Sequence, residues 1–129
     1  MALGLGIDVI EVSRIEAVIS RHGAAFLSHV FRESEQQLAP GTARGAAVYY
    51  AGRWAAKEAV VKALGTGIGA DCAWRDIEVL RMPSGAPAVE LHGRGSGTAR
   101  GLGIELIHLS ISHEKNLACA TAVGEGVRS

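Results

Sequence analysis

Apolar and polar residues alternate in five short segments of the chain and follow a helical period in one long segment. Alternation is typical of β-strands, and strands are predicted over residues 4–11, 77–82, 86–91, 107–112 and 117–123. The second and third strands flank Pro83-Ser84-Gly85, a turn sequence typical of a β-hairpin. The long helical segment covers about residues 44–64, and Gly65 is placed to cap its C-terminus.

Three shorter helices are predicted around this frame. Ser13 and Glu16 have the spacing of a capping box, so a first helix is expected to start there and to end or bend at Gly23. Ser34 repeats the capping signature for a short second helix, and residues 96–102 form a weak third helix interrupted by glycine. The pattern predicts an α+β fold, in which an antiparallel sheet packs against one long helix plus shorter helices.

Length and composition narrow the class of protein. At 129 residues, of which 48% are hydrophobic, the chain is expected to fold as one domain, 1–129, with a modest core. Its 13 basic and 13 acidic residues give no net charge that would attract nucleic acid or a membrane surface. No segment approaches the roughly twenty apolar residues of a membrane helix, and no signal peptide is expected before the first strand. Cys72 and Cys119 lack metal-ligand spacing and are expected to be reduced thiols, so a cytoplasmic location is predicted.

The long helix carries the first candidate chemistry. Trp54, Glu58 and Lys62 follow one another at four-residue intervals, so they share one helical face. A carboxylate beside an ammonium can hold a hard cation while the ammonium binds an anion. The helix leads into Gly65-Thr66-Gly67, a flexible backbone whose N–H groups can approach phosphate oxygens. The alternative is a solvated Glu–Lys pair that only braces the helix.

Two strands add further polar side chains. Asp8 lies among apolar residues in the first strand, where a buried charge needs a partner or a metal. Gly4 and Gly6 share its face and are expected to leave space beside the carboxylate. A strand-end Asp that faces water is the alternative. The fourth strand ends in Ser112-His113, where an imidazole is either functional or a hydrogen-bonded rim residue.

Three motifs follow one another along the chain: Gly6-Ile7-Asp8 near the start, Trp54-Ala55-Ala56-Lys57-Glu58-Ala59 with Lys62 in the middle, and Ser110-Ile111-Ser112-His113 near the end. In this order and spacing, they resemble the phosphopantetheinyl transferases, and specifically the short single-domain type, the holo-acyl-carrier-protein synthase family. Gly65-Thr66-Gly67-Ile68-Gly69 after the helix also fits. Each motif alone is weak, but their joint order is specific, and the resemblance spans nearly the whole chain.

The resemblance implies a Mg²⁺-dependent transfer of 4′-phosphopantetheine from coenzyme A to a serine of an apo-acyl carrier protein. The other product is adenosine 3′,5′-bisphosphate, and the role is in fatty acid or polyketide biosynthesis. It implies that Asp8 and Glu58 are the metal ligands and that Asp8, Glu58 and Lys62 are catalytic, with Lys62 over the pyrophosphate. Either Glu58 or a metal-bound water takes the serine proton.

The resemblance also implies how coenzyme A and the subunits are arranged. The coenzyme A-binding residues would be Arg53, Lys62, Gly65, Thr66, Gly67 and His113. His113 would reach the 3′-phosphate of a coenzyme A held by a neighbouring subunit, because one short chain carries only half of the arrangement found in longer family members. A homotrimer with active sites between subunits is therefore expected.

One face of the first helix is a candidate docking surface for the carrier protein. Arg14, Val18 and Arg21 share this face, and Arg53 is available near the start of the central motif. Because carrier proteins are acidic, arginines around an apolar residue make a suitable surface for them. A plain solvated helix face is the alternative.

Several points stay open in the sequence. Longer family members have a second acid where this chain has Ile10, so a water is expected at that coordination position; Glu11 is a weak alternative ligand. Lys57 is expected to be structural or peripheral to the phosphates. A non-catalytic module that binds coenzyme A or a nucleotide, and a Mg²⁺-dependent phosphatase or nuclease, remain as rival functions. The preferred carrier protein and the use of acyl-coenzyme A are undetermined.

Overall fold

One long helix lies across a three-stranded antiparallel sheet in the computed structural model of the chain, which describes residues 1–127. The helix is α4 (Ala43–Leu64), and the strands lie in the order β1 (Ala2–Glu11), β5 (Leu117–Gly126) and β4 (Ile104–Glu114). The first and last strands of the chain are therefore neighbours, as Asp8 opposite Ala120 illustrates.

The remaining elements surround α4. They are α1 (Val12–His22), α2 (Ala24–Val30), α3 (Glu33–Gln37), a 3₁₀ turn (Trp74–Asp76), β2 (Ile77–Arg81), β3 (Pro87–Leu91) and α5 (Gly93–Gly101). Strands β2 and β3 form the predicted hairpin as a separate two-stranded sheet. The α+β prediction is confirmed, with two sheets in place of one. Within residues 1–127, no helix has the length and apolar character needed to cross a membrane.

Helix α4 approaches β1 so closely that backbone meets backbone. A Cβ atom added to Gly6 would lie 1.9 Å from the carbonyl oxygen of Ala59, and one added to Gly4 would lie 2.0 Å from that of Ala63. The predicted space beside Asp8 is therefore wrong, because α4 fills the volume that the glycines leave. Small buried residues on β5 complete the contact: Ala118, Ala120 and Ala122.

The opposite face of the sheet stays exposed although it is apolar. Leu5, Ile7 and Val9 of β1 expose 70%, 59% and 57% of their surface. Alternation along the strand explains this pattern, since Gly4, Gly6 and Asp8 turn toward α4. One side of β1 is thus packed against α4, and the other presents a row of large apolar side chains.

Two predicted helix starts are wrong because the predicted serines make hydrogen bonds with distant residues and do not cap the helices. Helix α1 begins at Val12, and Ser13 makes no capping box; its backbone N–H donates to Oδ1 of Asn116 at 3.0 Å. Ser34 is also not a cap, since its hydroxyl donates to Glu78. The cap of α3 is made instead by Glu35, whose Oε1 accepts from the backbone N–H of Arg32 at 2.7 Å.

The predicted helix ends are closer to the structure. Gly23 follows α1 with a φ of +52°, and Gly65 follows α4 with a φ of +79°, a backbone conformation that glycine adopts at low cost. The chain after Gly23 forms helix α2, which the sequence pattern did not indicate. Helix α5 begins three residues earlier than predicted, at Gly93 in place of Ser96.

We expect Gly6→Ala to destabilise the protein by about 2–3 kcal/mol, because a methyl group there must push α4 away from β1. Gly97→Ala is the matched control, since Gly97 lies in α5 with no atom near its Cβ position. That variant should be neutral or stabilised by up to about 1 kcal/mol. Urea denaturation measures both. Equal stability of the two variants would contradict the close contact between α4 and β1.

Candidate active site

The edge of the contact between β1 and α4 brings three charged side chains together. Asp8 comes from the middle of β1, and Glu58 and Lys62 come from successive turns of α4. The Lys62 ammonium donates to Oδ1 of Asp8 at 3.1 Å and to the carbonyl oxygen of Ile7 at 2.9 Å. Residues 54 positions apart in sequence thus form one cluster. The helical spacing predicted the shared face of Glu58 and Lys62, and the family resemblance implied that Asp8 joins them.

The two carboxylates of this cluster are placed to hold a hard cation. Oδ2 of Asp8 is buried and has no hydrogen-bond partner, a costly state for a carboxylate oxygen. Burial raises the pKa of Glu58, and the nearby negative charge of Asp8 raises it further, while Lys62 opposes the rise. Two carboxylates that repel each other, one with an unpartnered oxygen, fit a divalent ion such as Mg²⁺, which prefers oxygen ligands.

The loop after α4 offers fewer phosphate donors than its glycines suggested. The N–H groups of Gly65 and Thr66 already donate to the helix carbonyls of Lys62 and Val61, both at 3.1 Å. The backbone N–H of Gly67 makes no hydrogen bond within residues 1–127 and remains available. The hydroxyl of Thr66 donates to the Gly67 carbonyl at 2.9 Å. Only part of the predicted loop can therefore contact an anion through its backbone.

A second positive site lies two turns earlier on α4. The guanidinium of Arg53 lies over the ring of Tyr49, 4.3 Å from its centroid, and its Nε atom is buried without a partner. Burial lowers the pKa of Arg53, and the nearby Arg81 lowers it further. Two guanidinium groups that repel each other beside an unused N–H donor favour an anion. Arg81 was not among the predicted residues, because nothing in the sequence places β2 beside α4.

His113 is not part of the Asp8 cluster within one chain. It is exposed near the end of β4, two strands away from β1 in the sheet. Adjacent strands are about 4.8 Å apart, so the two strands that carry Asp8 and His113 are separated by roughly 10 Å. Trp54, the other aromatic of the central motif, stacks on Trp74 with ring centroids 5.4 Å apart and packs against the core.

The predicted docking residues lie on an accessible helix. Arg14 and Arg21 are exposed on α1, with the half-buried Val18 between them. The start of α1 is held against the β4–β5 turn, because Asn116 accepts from the N–H of Val12 at 2.8 Å through its carbonyl oxygen. A fixed helix with exposed arginines is suited to binding an acidic partner.

The residues left open by the sequence have clear positions. Lys57 is buried, and its ammonium donates to Glu35 and to two backbone carbonyls. Its structural interpretation therefore holds, and a phosphate-peripheral role does not. Glu11 is exposed at the end of β1 opposite Leu117.

A separate group on the hairpin could also hold a metal ion. Glu78, Glu90 and His92 each bring one ligand atom within 4.8 Å of the others. His92 and Glu78 are already hydrogen-bonded at 2.9 Å. Sequence spacing did not indicate His92 as a ligand, because the group forms only when Glu78 and Glu90 pair across the two strands. These residues lie on a different element from the Asp8 cluster.

Comparison with known proteins identifies the same family that the sequence motifs resemble. A family model described as the 4′-phosphopantetheinyl transferase superfamily matches residues 4–122. The holo-[acyl-carrier-protein] synthase of Natranaerobius thermophilus is 44% identical over 123 residues, which cover 95% of this chain and 97% of that protein.

Solved structures agree with the sequence matches. The crystal structure of holo-[acyl-carrier-protein] synthase from Neisseria meningitidis has a TM-score of 0.88 and 31% identity, and covers 97% of this chain and 99% of that one. The Helicobacter pylori synthase, solved in complex with coenzyme A, has a TM-score of 0.83 and 31% identity, and covers 94% and 99%. The chain therefore belongs to the 4′-phosphopantetheinyl transferase superfamily, within its group of holo-[acyl-carrier-protein] synthases.

Proposed function

We propose that this enzyme transfers 4′-phosphopantetheine from coenzyme A to a serine of an apo-acyl carrier protein in a Mg²⁺-dependent reaction, in the cytoplasm, as a step of fatty acid or polyketide biosynthesis. The observation that carries the proposal is the cluster of Asp8, Glu58 and Lys62, with a buried and unpartnered carboxylate oxygen on Asp8. A module that only binds coenzyme A would have no need for both acids.

The reaction forms one bond and breaks another at phosphorus. The serine oxygen of the carrier attacks the phosphorus that bears the pantetheine arm, and the bond from that phosphorus to the bridging pyrophosphate oxygen breaks. The bridging oxygen leaves on adenosine 3′,5′-bisphosphate. The serine proton passes to a base, for which Glu58 or a water is available. Such a reaction depends on positioning and charge neutralisation more than on covalent help from the protein.

The residues of this chain divide these tasks. Asp8 and Glu58 would hold Mg²⁺, which when bound supplies positive charge next to the pyrophosphate. Lys62, whose side chain is 49% exposed, can turn from Asp8 toward an incoming phosphate. Its ammonium would then stabilise the negative charge that grows on the leaving group. The pair with Asp8 holds Lys62 beside the site.

Coenzyme A binding extends from this cluster to Arg53 and the loop of Gly65, Thr66 and Gly67. The free N–H of Gly67 and the unpartnered Nε of Arg53 are donors for phosphate oxygens. The Helicobacter pylori synthase, which shares 31% identity with this chain, was solved in complex with coenzyme A. That relative supports coenzyme A as the ligand here.

Two features support a homotrimer with shared sites. The exposed row of Leu5, Ile7 and Val9 is the kind of apolar face that chains cover by association. The separation of His113 from Asp8 leaves His113 free to serve a neighbouring site, where it would contact the 3′-phosphate of coenzyme A. Each active site would then combine Asp8 and Glu58 of one chain with His113 of another.

The carrier protein would dock on α1. Arg14 and Arg21 are exposed there and make no ion pair within residues 1–127, so both charges are available to an acidic partner. Val18 between them supplies an apolar contact.

We expect Asp8→Asn and Glu58→Gln each to lower kcat by about a hundredfold or more, because each removes a charge from the metal site. Circular dichroism should show an intact fold. Glu11→Gln is the matched control, since Glu11 is an exposed carboxylate on the same strand as Asp8, and its rate should stay normal. Near-normal rates of both site variants in saturating Mg²⁺ would exclude the metal assignment.

A mixture of Asp8→Asn chains with His113→Ala chains should recover activity that neither variant has alone. Recovery is expected because some interfaces combine an intact Asp8 with an intact His113 from the neighbour. A mixture of Asp8→Asn with Glu58→Gln is the control and should stay inactive, since both residues come from the same chain. Turnover after subunit exchange measures the effect. A first mixture that stays inactive although exchange is shown, or an active monomer, would rule out shared sites.

Reversing the charge of Arg14 or Arg21 to Glu should slow association with the carrier about tenfold at low salt and weaken its salt dependence. The KM for coenzyme A should not change. Arg100→Glu on α5 is the control for a change in net charge. Stopped-flow association across a salt series distinguishes the cases. If all three variants bind the carrier alike, α1 is only a solvated surface.

A further inference from the structure

Lys57 forms a buried ion pair that takes no direct part in the proposed chemistry. Its ammonium donates to Oε1 of Glu35 at 2.8 Å, to the carbonyl oxygen of Val30 at 2.8 Å and to that of Trp74 at 3.1 Å. The side chains of Lys57 and Glu35 are both 0% exposed. An ammonium has three N–H groups, so Lys57 has none left for a phosphate.

Both carboxylate oxygens of Glu35 also have hydrogen-bond partners. Its Oε1 also accepts from the backbone N–H of Arg32 at 2.7 Å, and its Oε2 accepts from that of Val79 at 2.9 Å. Through these contacts, Lys57 connects α4 to the end of α2, the start of α3, the 3₁₀ turn and β2. The pair is therefore a junction between the central helix and the segments on its far side.

The stability of the folded protein does not by itself explain why a buried ion pair is present here. Apolar side chains of similar volume often stabilise a core as well as a buried ion pair does. A saturated polar pair adds a defined arrangement, because each donor must meet its acceptor. On the sheet side, α4 presents Ala59 and Ala63 to the glycines of β1, so this contact is made without interlocking large side chains. Lys57 lies about 160° around the helix from Ala59 and anchors the opposite side.

We propose that the Lys57–Glu35 pair fixes the rotation of α4 about its axis and thereby positions Glu58 beside Asp8 for the transfer reaction. Glu58 directly follows Lys57, and its carboxylate lies about 6 Å from the helix axis, so a rotation of about 10° moves it by about 1 Å. A misplacement of this size in an active site can cost about a hundredfold in rate. Lys57 and Glu35 are thus positioning residues, and the inference rests on the proposed function of Glu58.

The test replaces the pair in two backgrounds and measures kcat. Lys57→Met with Glu35→Gln removes both charges, keeps similar volume and leaves an oxygen for one of the two backbone N–H groups. If the pair positions Glu58, the double replacement lowers kcat at least tenfold with the KM for coenzyme A within twofold. Adding Glu58→Gln should then lower kcat by less than about tenfold, against about a hundredfold in the wild type. The reason is that a misplaced Glu58 carboxylate already contributes little to the rate, so its removal has a small effect.

Ile77→Ala is the control for a general loss of stability, since Ile77 is buried and apolar. Assayed as folded protein well below its melting temperature, this variant should retain kcat and the full effect of Glu58→Gln. If the double replacement also retains both, the pair is only structural and the proposal is overturned. The proposal is equally overturned if Ile77→Ala reproduces the loss of kcat and of the Glu58 effect.

A second variant provides the test if the double replacement does not fold. Glu35→Gln alone keeps the shape of the side chain and an acceptor for Lys57, and it should show the same pattern more weakly, with kcat lowered about threefold or more and a reduced Glu58→Gln effect. An unchanged kcat with a full Glu58→Gln effect would overturn the proposal. Should Glu58→Gln have no effect even in the wild type, the proposed function itself fails, which is a separate result.

Discussion

The approach of α4 to β1 is the contact on which the rest of the structure depends. Gly4 and Gly6 have no side chains, so the carbonyl oxygens of Ala59 and Ala63 lie where Cβ atoms would otherwise be. This approach brings the Asp8 carboxylate of β1 close to the Glu58 carboxylate and the Lys62 ammonium of α4. A Cβ atom at Gly6 would meet the backbone of α4, and the strand that carries Asp8 would have to move. A metal site is sensitive to such a movement, since Mg²⁺ requires ligand oxygens at about 2.1 Å.

The charged groups around α4 differ in whether their hydrogen bonds are complete. On one side the Lys57–Glu35 pair is buried and every donor and acceptor is satisfied, which is typical of a group that defines structure. On the flank, Asp8 has a buried oxygen without a partner, and its other oxygen is held by the half-exposed Lys62. A buried polar atom without a partner needs an explanation such as a ligand, and the candidate site lies where the hydrogen bonding is incomplete.

Local sequence patterns correctly predicted the elements that are determined by residues close together in sequence. Helix α4 and its end at Gly65 agree with the structure because a left-handed C-terminal residue requires glycine wherever the helix packs. The hairpin agrees because its turn residues specify it. The failures share the opposite cause: Asn116 caps α1 from 103 residues away in sequence, and Ser34 binds Glu78 across the fold, so no local pattern could reveal either contact.

The same division applies to the candidate site. The order and spacing of the motifs around Asp8, Glu58, Lys62 and His113 determined the family, because residue types and intervals along a helix or strand are written in the chain itself. Tertiary structure decided which polar groups have hydrogen-bond partners. Oδ2 of Asp8 and Nε of Arg53 have none, whereas the N–H groups of Gly65 and Thr66 donate to carbonyls at the end of α4. Tertiary structure also placed His113 away from Asp8. The physical reason is that satisfaction of a polar group depends on atoms brought near by packing, which sequence spacing does not encode.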